Sequence, residues 1–286
     1  MSAKTAVSWG NRRGSFVRNR ELLGNLIRKE LKVKYKNSAL GFVWSLANPL
    51  LYLVVFSVVL VGFLGVAMPE FHFYLLSGLL AWNFLSNALN SATTSVVGNA
   101  SLVTKIYFRR EVLPLAGIGA AVFHFLLQFG VLVAAMLIFS HQRYWDEGLL
   151  LLPMAMFVQL VLLAGMGLIL ASANVYFRDI QHLLELGLLA WFWLTPIVYP
   201  SSLARNSRFW DVYLLNPMTP VVLGFQRALY SRINPIQDGH PTNVLVDAPV
   251  SWYAQRLGYV GIGAVVLLAG ALLLFRKLDA RFAEEL

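Results

Sequence analysis

The chain has 286 residues, 58% of them hydrophobic and 13% charged, with a mean hydropathy of +0.65. A soluble domain carries about twice that share of charge, so the composition excludes an ordinary soluble enzyme and points to a polytopic membrane protein. The absence of cysteine excludes disulfides, thiolate catalysis and Cys-based metal sites. The net charge of +9 does not mark a nucleic-acid partner, because ten of the 23 Lys and Arg residues crowd into the first 36 positions, beside the first apolar run.

Residues 1–19 are polar and basic, with no apolar core behind a short charged start, so no cleavable secretory signal is read and the N-terminus is expected in the cytoplasm. An amphipathic helix is predicted over 20–37. It places Leu22, Leu23, Leu26, Ile27, Leu31 and Tyr35 on one side, and Arg28, Lys29, Lys32 and Lys36 toward another. Such a helix lies in the inner interface, its basic face meeting anionic lipid or a partner protein. Lys34 adds a further cation there.

Six transmembrane helices are predicted, at 41–66, 73–97, 114–140, 149–173, 183–198 and 257–275, since about 20 apolar residues at about 1.5 Å each cross the hydrocarbon. In the first, Ser45, Asn48, Tyr52 and Phe56 recur at spacings of three and four and form a polar and aromatic stripe. In the second, Asn83, Asn87, Asn90 and Thr94 do the same. Amides facing lipid are costly, so that side is expected to face protein or a wet cavity, and bonding between helices and pore lining both remain open. Between the second and third spans lies 99–113, a short basic and aromatic segment, too polar to cross lipid and too short to fold alone. Its surface is expected to carry Lys105, Arg109, Arg110 and Glu111 around the apolar anchors Leu102, Val103, Ile106, Tyr107 and Phe108, a segment on which a partner protein can push.

The fifth span is rich in aromatics, Trp191 and Trp193 among them, and holds Glu185 a turn from its start. A carboxylate there either pairs locally or joins a proton relay. Residues 199–253 contain six prolines and apolar pieces half a span long, one of which includes Arg227. Mid-bilayer placement of that arginine would cost roughly 2.5 to 3.5 kcal/mol, so re-entrant or interfacial helices on the outer side are expected. With both termini inside, seventeen Lys and Arg fall on the cytoplasmic side and six outside, as the positive-inside rule requires.

No G-x-x-x-x-G-K-[ST] phosphate loop is present, so the chain is not expected to hydrolyse ATP; H-E-x-x-H and G-x-S-x-G are also absent, and five histidines lack ligand spacing. A single transmembrane domain over 1–286, without catalytic, cofactor or metal residues, is expected.

The runs KYKNSALGFVWSLANPLLYLVVFSVV, NASLVTKIYFRREVLPL, NVYFRDIQHLLEL, TPIVYP and NPMTPVVLGFQRALY, in this order over about 20–275, resemble the permease subunit of bacterial polysaccharide-exporting ABC transporters. The resemblance implies an all-α polytopic membrane protein with a coupling helix matching Ser101 to Leu113 and outer gate helices matching Ser201 to Arg232. It also implies a homodimer of this permease with two copies of a cytoplasmic ATPase that binds ATP and Mg. The cargo that the resemblance implies is a polyprenyl-pyrophosphate-linked glycan of the O-antigen, teichoic acid, capsule or galactan type. One departure is visible: the family commonly has Pro after the Phe of the coupling stretch, and here Phe108 is followed by Arg109.

Aromatic faces stack on sugar rings and amides bond hydroxyls, so Ser45, Asn48, Tyr52, Phe56, Asn83, Asn87, Asn90, Trp191 and Trp193 are the candidate channel lining. Arg28, Lys29, Lys32, Lys34 and Tyr35 are the interface-helix candidates, and a pyrophosphate head would seek Arg28, Lys32 and Lys34. A secondary transporter or lipid scramblase is the alternative; it would couple through intramembrane charge, for which only Glu185 qualifies.

Overall fold

The computed structural model describes residues 12–35, 44–63, 65, 70–105, 108–139, 146–205, 208, 210–231, 236–237, 240–241 and 244–286. Ile106 and Tyr107 lie outside the described residues, and of Lys34, Tyr35, Ser45 and Asn48 only the helical position is described.

Among the described residues the architecture is helical apart from one minimal hairpin, Ile236–Gln237 paired antiparallel with His240–Pro241. Helix α1 (Arg12–Tyr35) precedes α2 (Trp44–Phe56), which continues into wider i→i+5 turns over Ser57–Phe63. Next come α3 (Phe71–Ser95), the short α4 (Ala100–Lys105), α5 (Val112–Phe139), α6 (Leu151–Tyr176) and α7 (Ile180–Trp193). Three short helices, α8 (Ser201–Arg205), α9 (Trp210–Leu215) and α10 (Met218–Leu229), lead to α11 (Val250–Asp279) and the terminal α12 (Phe282–Glu285).

Among the described residues, three helices are long and apolar enough to cross a membrane: Val112–Ile138, Glu147–Tyr176 and Val250–Asp279. The stretch Pro49–Phe63 is apolar but shorter. Helix α3 has 25 residues, about 37 Å, yet is less apolar than α5 or α6 because protein rather than lipid surrounds it. It packs against α5, α6, α10, α7 and α2, and seventeen of its residues are buried. Amides and hydroxyls are tolerated on such a helix because other helices, not hydrocarbon, meet them.

The longest contact joins α6 to α11. At Gly165 a Cβ would stand 3.1 Å from the Leu268 backbone nitrogen, so the missing side chain is what lets the two backbones approach. Helix α10, 12 residues long and buried on all sides, sits among α6, α3 and α11. Helix α1 lies along α5, where Ile27 occupies the space beside Gly119.

The bounds differ from the sequence expectation in several places. The fifth helix is shorter, ending at Trp193 before the turn over Thr195 and Pro196, where the proline removes a backbone donor. The last helix begins at Val250 rather than near 257, because VSWYAQRL continues its helical packing with Tyr253 and Leu257 buried. Among the described residues of the 99–113 segment, α-helix covers Ala100–Lys105, and α5 already starts at Val112.

Candidate functional site

Where α3 and α6 end, α5 begins and α11 ends, a second apolar cluster forms, separate from the main core. Leu26 of α1, Val103 of α4, Leu113 of α5, Val175 of α6, Phe275 of α11 and Phe282 of α12 meet there, each at most 5% exposed. Six helices from four regions of the sequence thereby become one platform. Lys29 Nζ donates to Asn99 Oδ1 at 2.5 Å and fastens α1 to the α3–α4 turn.

The charges of the 105–111 stretch do not all face outward. Glu111 is 7% exposed: its Oε2 lies 3.0 Å from Arg109 Nε, and its Oε1 accepts from Arg276 Nε of α11 at 2.9 Å. Burial alone would raise its carboxyl pKa, but the two guanidinium groups outweigh this and hold it below the usual carboxylate value. Arg110 Nη1 lies 3.0 Å from Asp279 Oδ1 and also donates to the Asp279 carbonyl. Two expectations are corrected. Glu111 is an internal ionic hub rather than a surface charge, and Val103, 2% exposed, packs into its own chain rather than standing free as a partner's anchor. Leu102 and Phe108 are half-buried against the same cluster. The exposed edge consists of Ser101, Thr104, Lys105 and Arg109 among the described residues. On α1, Arg28 and Lys32 are exposed on the side away from Leu22, Leu23, Leu26 and Ile27, while Lys29, also exposed, flanks that side and gives its amine to Asn99.

At the opposite end a further ion pair is formed. Arg227 Nη1 of α10 lies 2.6 Å from Asp146 Oδ2 and donates to Ser231 Oγ at 2.9 Å. Asp146 also accepts from Gly148 N, capping the turn that opens α6. Burial would raise the Asp146 carboxyl pKa, but Arg227, Ser231 and the Gly148 amide hold it below the usual range. Arg227 therefore does not face hydrocarbon.

Between these ends the structure brings the aromatic candidates together. Tyr52 and Phe56 of α2 stack on Phe192 of α7 at 6.0 and 6.5 Å, and Trp193 meets Phe56 edge-on. Trp82 joins Trp191 and Phe192 edge-on, while Trp191 Nε1 donates to Asn216 Oδ1 at 2.7 Å. Two asparagines of α3 bond within their own helix: Asn87 Nδ2 donates to the Asn83 carbonyl and Asn90 Nδ2 to Ser86 Oγ. Asn83 lines an apolar cavity of about 120 Å³ with Leu46, Pro49 and Leu50 of α2 and Gln128 and Leu132 of α5. Glu185 is exposed on α7 among Leu183, Leu186 and Leu189.

Bonds between helices fall to residues the stripe pattern does not single out. Gln159 donates to the Ala81 carbonyl, Asn174 to Thr93 and Gln226 to Pro196, at 2.7, 3.1 and 2.8 Å. Their signal in the sequence is an isolated amide within an otherwise apolar run, which gives a helix but no partner.

The family described as ABC-2 type transporter matches residues 21–230, from α1 through the buried α10. The chain is 30% identical over 268 residues to the O-antigen export system permease protein RfbA of Myxococcus xanthus, covering 93% of this chain and 96% of that one. It is 28% identical over 269 residues to RfbA of Klebsiella pneumoniae, covering 93% and 95%. It is 25% identical over 206 residues to the polysialic acid transport protein KpsM of Escherichia coli, covering 69% and 76%. A helical bundle with a buried, proline-flanked α10 at one end and a short charged α4 platform at the other, matched over most of its length, identifies the chain as a member of the ABC-2 type transporter family.

Proposed function

We propose that the chain is the membrane subunit of an ABC exporter that carries a polyprenyl-pyrophosphate-linked polysaccharide across the bacterial inner membrane, driven by a separate ATPase subunit. The observation that carries this reading is the near full-length similarity to O-antigen export permeases in a chain without a phosphate loop. A conduit lacking its own fuel site needs a contact through which another protein drives it. Lys105 and Arg109 are the exposed cations at the α4 edge, and the exposed Arg28 and Lys32 on α1, with Lys34 beside them in sequence, suit anionic lipid or a pyrophosphate head.

Six crossings are assigned to α2 with its extension, α3, α5, α6, α7 and α11, with α8 to α10 forming a gate region that does not cross. The positive-inside rule orients the α4 end to the cytoplasm, with both termini there. Two copies of the chain and two of the ATPase assemble, and the cluster of Tyr52, Phe56, Trp191 and Trp193 offers ring faces to a passing sugar. ATP and Mg belong to the ATPase subunit.

Deleting the gene and analysing lipid-linked glycans tests the reading: the undecorated surface should be accompanied by glycan retained inside the cell. Co-purification should recover an ATPase whose turnover the permease stimulates, with the stimulation lost when Tyr107→Ala and Phe108→Ala are combined. Glycan distribution unchanged by deletion would remove the export assignment.

A further inference from the structure

We infer that the end of α11 and helix α12 form one mechanical unit with α4 and the first turn of α5, so that a displacement of α4 is delivered directly to α11. The inference rests on the reading above that an ATPase acts at the α4 end.

Ionic links supply the first argument. The neighbouring residues Arg110 and Glu111 bind Asp279 and Arg276 respectively, at 3.0 and 2.9 Å. Positions 276 and 279 are one helical turn apart and share a face of α11, so two links run in parallel between the same two elements. Parallel links resist rotation as well as separation. A single pair between partly exposed side chains would resist neither well.

The hub is also internal. Glu111 is 90% buried at its side chain, and both its oxygens are held by guanidinium groups. Losing Arg276 would leave the largely buried carboxylate with Arg109 alone, which favours keeping the link closed through a movement. Residues 110 and 111 are themselves rigid, since Val112 N and Leu113 N bond back to the Arg109 and Arg110 carbonyls.

Apolar packing closes the unit from the other side. Phe282 is fully buried, edge-on to Phe275 at 5.3 Å and near Tyr176 at 6.1 Å, and α12 packs on α4. Tyr176 donates to the Leu278 carbonyl at 3.3 Å, tying the end of α6 to the same turn. Interfaces packed this way move as bodies rather than deforming. The C-terminal eleven residues thus act as a clamp between the driven helix and the last span, not as a passive tail.

Because the chain contains no cysteine, labels report without background. Spin labels at Thr104→Cys and Lys277→Cys, both exposed positions, are placed on a minor fraction of chains diluted into unlabelled native chain, so that distances within one protomer dominate, and assembled with the ATPase in nanodiscs. Double electron–electron resonance is read without nucleotide and with ATP under non-hydrolysing conditions. The expected result is one narrow distance distribution unchanged by ATP in the otherwise native chain. With Asp279→Arg added it widens on ATP, and stimulated ATP turnover falls on the order of tenfold, within the usual range of coupling between sites. The exchange of Arg110→Asp with Asp279→Arg restores the narrow distribution. A distribution that ATP shifts in the native chain overturns the inference whether or not the variants fold, and one that stays narrow in Asp279→Arg also overturns it. A native chain that assembles with no ATPase removes the functional reading itself, and this inference with it.

Discussion

Arg227 and Asp146, 81 positions apart in sequence, meet at 2.6 Å and fasten the buried α10 to the turn that opens α6. The arginine side chain is 8% exposed and the aspartate 42%, so the pair lies at the rim of the bundle rather than in bulk solvent. Replacing Asp146 by Asn should lower stability by about 1–2 kcal/mol, less than the cost of breaking a fully buried pair because water screens the aspartate. Thermal unfolding in detergent measures this. A native folded-state carboxyl held below its unfolded value contributes stability that is complete above the ordinary Asp range and lost as pH falls through the lower value. Native and Asp146→Asn chains should therefore differ by a constant amount from pH 5 to 8 and converge only on strong acidification; a difference that vanishes near neutrality would contradict the assignment.

The α6–α11 contact depends on a missing side chain. Gly165→Leu should destabilise by about 1–3 kcal/mol, since its Cβ meets the Leu268 backbone at 3.1 Å and backbone cannot swing aside. Gly130→Leu, with nothing within 4 Å, should be close to neutral. Equal melting temperatures for the two variants would show that the helices do not approach as described.

Within the aromatic cluster, burial separates packing from contact with cargo. Phe192 is 7% exposed and touches rings from α2 and α3, so Phe192→Ala should cost about 2 kcal/mol or more. Trp193 is 55% exposed, and Trp193→Ala should cost about 1 kcal/mol or less while slowing export. Thermal unfolding read beside the amount of lipid-linked glycan retained in cells distinguishes the two; full export in Trp193→Ala would take that residue out of the lining.

Lys105 stands exposed at the α4 edge. Reversing it with Lys105→Glu should weaken ATPase assembly roughly two- to fivefold at low salt, the scale of one exposed charge contact. The difference should shrink as salt rises and screening sets in. Affinity measured by titrating the ATPase at two ionic strengths tests this, and a salt-independent loss would mean the substitution had disturbed α4 itself.

Composition and periodicity by themselves determined the class of protein, its helical character and the candidate interface and charged segments. Those properties are local: about 20 apolar residues satisfy their own backbone bonds as a helix, and a basic stretch between two such runs cannot enter hydrocarbon. The ordered motifs from KYKNSALGFVWS to NPMTPVVLGFQRALY likewise carried the family. Only the tertiary structure decided which polar groups are internal. Glu111 reads as a surface charge until Arg276, 165 positions later, is set beside it, and Val103 reads as an anchor until the cluster it shares with Phe282 buries it. The physical reason is that pairing between helices depends on their rotation and axial offset against one another, and no period within a single helix records either.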